Sequence, residues 1–106
     1  MATLYNKKFS RADLLAHVGN ISQAGGITIL THDSGQARGV REARVRTGSG
    51  LDFTVLIDRA MDINTAYYKG IPLFFRTRVG EVSPGYYEGQ IEAWRQAWAG
   101  GLLTTC

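Results

Sequence analysis

Leu51 to Leu73 reads LDFTVLIDRAMDINTAYYKGIPL. Leu51, Phe53, Val55 and Ile57 alternate with Asp52, Thr54, Leu56 and Asp58. That period of two marks a half-buried β-strand. Asp58, Arg59, Met61 and Asp62 then break the pattern with two carboxylates and a guanidinium. Ile63 to Tyr68 resumes a strand, and Lys69-Gly70 with Pro72 turns the chain again. A charged cluster between two apolar strands requires a reason, because buried charges cost several kcal/mol unless paired. These groups are expected either to pair with one another or to line a solvent-filled cleft.

The neighbouring segments extend the same pattern. Residues 38–47 read as a strand, with Val40, Glu42, Arg44 and Arg46 on one face and Arg41, Ala43 and Val45 on the other. Gly48-Ser49-Gly50 forms the hairpin turn into Leu51. Ile27 to Leu30 is a further strand, and His32 to Gly35 is a turn by composition. Residues 3–9 read as one short strand. Ser10 caps a helix over residues 11–18, with Asp13 in capping-box position and Gly19 as the stop. After strands at 63–68 and 71–75, residues 76–87 read as a loop. Ile91, Trp94, Ala97 and Trp98 then form a helical stripe within residues 88–99. Leu102 to Thr105 begins a last strand. Short strands separated by glycine-rich turns predict a mainly β, antiparallel protein with two short helices.

The chain has 106 residues, 44% of them hydrophobic and 20% charged, which bounds it to a single small domain. No apolar run approaches the ~18 to 20 residues that span a bilayer, so no membrane association is expected. The N-terminus lacks the apolar core of a secretory signal, and a cytoplasmic location is the default. Net charge is +3, with arginines interleaved among acids, unlike the concentrated patch of a nucleic-acid binder. A single cysteine, Cys106, leaves no internal disulfide or CxxC metal site. His17 and His32 lack ligand-spaced partners, so no metal or cofactor is expected. No nucleotide or nucleophile-elbow motif occurs. An apolar run ending at Cys106 is unlike the usual polar terminus. It predicts that residues 1–106 are one incomplete domain, the N-terminal portion of a larger protein.

DRAMDI at Asp58 to Ile63, the turn YKGIPL at Tyr68 to Leu73, and GGLLTTC at Gly100 to Cys106 together carry a resemblance. With VREARVRTGSG and LLAHVGNISQAGG upstream, they resemble a bacterial family of aldose-1-epimerase-like proteins of the galactose mutarotase-like superfamily. The one visible departure is Ala60, where that family usually has glycine. Ala60 implies either an ordinary backbone or local strain. The resemblance implies that residues 1–106 are the N-terminal portion of the larger antiparallel β-sandwich of those proteins, with a small-molecule sugar as partner and sugar 1-epimerisation as the activity. In the related mutarotases the acid is a histidine and the base a glutamate, with no match in these residues. A non-catalytic sugar-binding or structural sandwich domain is the alternative.

The candidate substrate-binding residues are Arg59, Asp62, Arg76 and Trp94. Arg59 offers fixed donors and keeps its proton, which suits binding rather than base catalysis; the competing reading is a structural ion pair. Asp62 is expected to orient Arg59 rather than to act as a base. Arg76 either lines the same cleft or ends a strand in solvent. Tyr86, Tyr87, Trp94, Arg95 and Trp98 form an aromatic-rich region of the kind that packs on sugar rings. Trp94 and Trp98 share one helical face, and at least one is expected in the core. Arg44, Arg46, Arg76 and Arg78 suggest a third reading, binding of an anion.

Overall fold

The computed structural model describes residues 2–4, 6–90 and 93–102. The described residues form one five-stranded antiparallel sheet and two short two-stranded ones. β1 (Ala2–Leu4) and β2 (Lys7–Phe9) form the first small hairpin, pairing Ala2 with Phe9. Residues 3–9 are therefore two strands rather than one, and Asn6 at φ 62° makes the reversal between them. α1 (Arg11–His17) follows. Ser10 Oγ accepts from the Asp13 N–H at 3.1 Å, and the Asp13 carboxylate accepts from the Ser10 N–H at 2.9 Å. The full capping box satisfies two otherwise orphaned donors. It also holds the Asp13 carboxyl below its ordinary range, the Ser10 hydroxyl bond contributing most. The helix stops because Val18 turns extended, at φ −122° and ψ 143°, and not through a left-handed Gly19.

The main sheet is a meander of β3 (Gly26–Thr31), β4 (Arg41–Arg46), β5 (Leu51–Leu56), β6 (Asp62–Tyr68) and β7 (Ile71–Pro72). Register assigns its two faces, since directly opposed residues share a face. Ile27, Val45, Phe53 and Ala66 stand in one row, and Ile29, Ala43, Val55 and Ile63 in the next. This is the apolar face. The opposite face carries Glu42, Arg44, Arg46, Asp52, Thr54, Thr65 and Tyr67.

A bulge sits where the pairing shifts between Thr54 and Val55. Thr54 faces Thr65 but Val55 faces Ile63, which leaves Asn64 as the extra residue. The bulge resets the alternation of β6, so that Thr65 and Ile63 project to opposite faces although both carry odd numbers.

β8 (Phe75–Arg76) pairs with β9 (Gly100–Gly101) as the third sheet. Both β9 residues are glycine for a physical reason. A Cβ on Gly100 would collide with the Phe75 carbonyl, and one on Gly101 with the Ile63 carbonyl. Their φ angles of 102° and 91° are equally hostile to L side chains. The last strand thus begins on the glycines, and residues 103–105 of the expected strand lie outside the described residues.

The second expected helix, over 88–99, is instead a 3₁₀ turn at Ala93–Ala97; Ile91 of the stripe lies outside the described residues. Its C-terminal end is drawn into sheet pairing. The Ala99 carbonyl accepts from the Thr77 N–H at 3.0 Å, and the Trp98 carbonyl accepts from the Thr77 hydroxyl at 2.5 Å. The described residues therefore hold one α-helix, not two.

Among the described residues the buried hydrophobic set is small: Leu14, Ala37, Val40, Leu56, Ala66, Val82, Ala97 and Ala99. Ile27 and Ile29, on the apolar face of β3, remain 69% and 57% exposed. The radius of gyration is 16.7 Å, against about 13 Å for a compact domain of this length. The sheet lies open, as one layer of a sandwich-like, mainly antiparallel β architecture.

Candidate functional site

β5 ends at Leu56, and residues 57–61 form the turn into β6. Asp58 leaves this turn toward β4. Its carboxylate accepts from Arg41 Nη2 at 2.7 Å and from the Arg41 backbone N–H at 2.9 Å. The side-chain bonds from Arg41, then the backbone bond, hold the Asp58 carboxyl below its ordinary range. Asp58 is thus the partner of Arg41, seventeen residues earlier, and not of Arg59. Adjacent-strand pairing decides this: the Ile57 N–H donates to the Arg41 carbonyl at 2.9 Å, which places the two side chains together.

Arg59 turns the other way. Its Nη1 donates to the Val82 carbonyl at 2.8 Å. Val82 is 2% exposed, so this anchor is fixed in the core. The orienting partner of Arg59 is therefore a main-chain carbonyl, not the expected Asp62 carboxylate. Asp62 contributes only its backbone N–H, to the Arg59 carbonyl at 3.1 Å. Among the described residues the Asp62 carboxylate has no hydrogen bond or ion pair.

The turn is strained. Ala60 and Met61 lie at φ 56° and 62°, both left-handed. Such conformations cost an L-residue roughly 1–2 kcal/mol each. The strain alternative for Ala60 is the one realised. Strain of this kind persists where surrounding contacts over-determine it, and it gathers at binding sites.

The turn opens on a cavity of about 450 Å³, lined by Asp58, Arg59, Ala60, Asp62, Pro84, Tyr87, Trp94 and Ala97. Ser83 positions one wall by capping the turn Pro84–Tyr86, and its N–H donates to the Gln36 carbonyl at 2.7 Å. Tyr87 and Trp94 are 55% and 51% exposed. Trp94 meets Trp98 edge-on at 5.8 Å, while Trp98 lies tilted by 44° against Phe75 at 6.2 Å. Trp98 is the more buried of the pair, and Trp94 is the one that lines the cavity.

Three of the four expected binding residues thus converge: Arg59, Asp62 and Trp94. Arg76 does not join them. Its Nη1 is bound to Glu81 at 2.5 Å, and its guanidinium lies 5.8 Å from the Phe74 ring centre. It lines no part of that cavity and is the exposed last residue of β8, as the strand-end alternative has it, with its guanidinium held in an ion pair. It closes a chain of polar contacts that sequence reasoning did not find. Asn64 Nδ2 donates to Glu81 at 2.6 Å and reaches Glu42 at 3.5 Å, and His32 Nε2 lies 3.3 Å from the same Glu42 oxygen. Asn64 is 3% exposed, and its Oδ1 has no partner among the described residues. Burial opposes the charge on Glu81, but bonds from Arg76 and Asn64 outweigh it and hold that carboxyl below its ordinary range. An asparagine inside a strand, where that residue is depleted, was the one signal of this network. Among the described residues no cluster of His, Cys, Asp and Glu has the makings of a metal site. Nor does any described helix have the length and apolar character to cross a membrane.

A family model matches residues 37–106, described as a domain of unknown function, DUF4432. The chain belongs to the DUF4432 family. The DUF4432 match takes in β4 to β9 and every residue that lines the cavity, and leaves out β1, β2, α1 and β3. No curated protein and no solved structure matches the chain.

Proposed function

We propose that the chain binds a small carbohydrate in the cavity at the β5–β6 turn. The observation that carries this reading is the composition of that cavity. A pinned guanidinium, an uncommitted carboxylate and two exposed aromatic rings face one space of about 450 Å³. That volume lies within the ~300–1,000 Å³ range of small-molecule sites. Arg59 spends one N–H on Val82 and keeps others to donate to hydroxyl or ring oxygens. Asp62 accepts from hydroxyls. Tyr87 and Trp94 offer π faces to the C–H face of a pyranose.

The resemblance of DRAMDI and GGLLTTC to aldose-1-epimerase-like proteins extends the proposal to sugar 1-epimerisation within a galactose mutarotase-like sandwich. Mutarotation needs a base for the anomeric hydroxyl proton and an acid for the ring oxygen. Among the cavity-lining residues Asp62 is the one uncommitted carboxylate, and no histidine is present. That observation favours a second reading, binding without catalysis.

Titration with a panel of aldoses, followed by tryptophan fluorescence and by polarimetry, tests both. Saturable quenching that weakens at least tenfold in Arg59→Ala and in Trp94→Phe supports the binding site. Faster anomeric equilibration that the Arg59 variant slows adds the epimerase. A folded protein that shows no saturable response to any aldose removes the carbohydrate reading.

A further inference from the structure

The polar face of the five-stranded sheet holds a second groove, of about 500 Å³, that shares no lining residue with the cavity at the turn. Its floor is the pair Thr54 and Thr65, whose hydroxyls lie 2.7 Å apart. Thr54 Oγ1 also accepts from the Thr65 N–H at 3.2 Å. One of the two hydroxyl hydrogens serves the bond within the pair, which leaves the other free to donate upward. The register places this pair in one row with Arg44, and Asp52 opposite Tyr67 in the next row. Residues two apart on a strand share a face, so the two rows are adjacent.

The charges are the informative part. Arg44 and Asp52 both line the groove, and among the described residues neither side chain has a hydrogen bond or ion pair. Arg46, the next side chain along the same face of β4, is already engaged by the Ser22 carbonyl. Glu42, at the other end of the groove, is held by His32 and Asn64. An open guanidinium thus faces the groove beside a hydroxyl floor, with an open carboxylate and the 39% exposed ring of Tyr67 one row away. The complementary molecule carries one carboxylate, to pair bidentately with Arg44. It also carries hydroxyls, for Asp52 and the threonines, and a C–H face for Tyr67.

We propose that this face is a binding site for a sugar acid, a hydroxylated ring bearing one carboxylate. The site is independent of the carbohydrate reading of the turn cavity and can stand if that reading falls.

Galacturonate and galactose share their ring hydroxyls and differ at one carbon, so the pair isolates the Arg44 contact. Each is titrated calorimetrically into the chain and into Arg44→Met, Thr65→Val and Arg11→Met. Galacturonate is expected to bind saturably, at least tenfold tighter than galactose. Arg44→Met should abolish that preference, and Thr65→Val should weaken galacturonate about threefold to tenfold. Arg11→Met, at an exposed position on α1 that lines neither cavity, should leave galacturonate unchanged. Arg44 is exposed, so its variant should retain the parent's far-ultraviolet circular dichroism. Should it not, Thr65→Val, which keeps the shape of the side chain, decides. Equal affinity for the two sugars, affinity insensitive to both groove variants, an equal loss with Arg11→Met, or no saturable binding each overturns the proposal.

Discussion

Ala60→Gly should stabilise this protein, against the usual sign of an alanine-to-glycine change. Ala60 stands at φ 56° within the turn between β5 and β6. The left-handed region costs an L-residue roughly 1–2 kcal/mol, because Cβ crowds the following carbonyl. Glycine removes that cost but adds unfolded-chain entropy worth roughly 0.5–1 kcal/mol. Ala60 is exposed, so little packing is lost with its methyl group. The difference is a gain of about 0.5–1 kcal/mol. For a chain near this size that corresponds to a rise of about 2–8 °C in Tm. Urea unfolding followed by circular dichroism reads the change as a higher midpoint at constant slope, which separates it from an altered denatured state. Gly70 is the matched control, with φ 83° and open space where a Cβ would stand. Gly70→Ala introduces the same strain without a clash and should destabilise by about 1 kcal/mol. A lower midpoint for Ala60→Gly, together with a neutral Gly70→Ala, would refute the assignment of strain to this turn.

Two further outcomes follow from the packing of β9 and from the Asn64 network. Gly101→Ala directs a methyl group into the Ile63 carbonyl at φ 91°, so β9 should detach from β6. A loss of at least about 2 kcal/mol is expected in thermal unfolding, and a wild-type midpoint would show that β9 is not packed there. The Glu81 carboxyl is depressed in the fold, so the unfolded chain takes up its proton first as pH falls. Its contribution to stability is therefore present above the unfolded value, near 4.5, and is lost as pH drops below it through the folded value. Urea midpoints measured from about pH 6 to pH 3 should fall less steeply for Glu81→Gln than for the parent, and parallel slopes would argue against the bonds from Arg76 and Asn64.

Local pattern determined a good part of this protein. The alternation in residues 51–57 and 38–47 is a property of neighbouring residues, and it placed β4, β5 and their hairpin within a few positions. Ser10 and Asp13 lie three residues apart, and a capping box needs no more than that. That Arg59 and Asp62 face open space was legible as one of two alternatives, because a charged interruption between apolar strands requires either partners or solvent, but nothing local placed Trp94 beside them. The choice of partners was not legible. Asp58 binds Arg41 and Arg59 binds Val82, contacts across 17 and 23 residues that register and loop packing alone create. The bulge at Asn64 shifts the phase of β6 by one residue, and no periodicity within a single strand shows which residue its neighbour will skip. The same long-range pairing drew Trp98 and Ala99 toward Thr77 and shortened the expected helix to a 3₁₀ turn. Sequence set what each segment could form by itself. Tertiary structure decided which side chains met, because a hydrogen bond to a distant strand satisfies a polar group that the local chain leaves open.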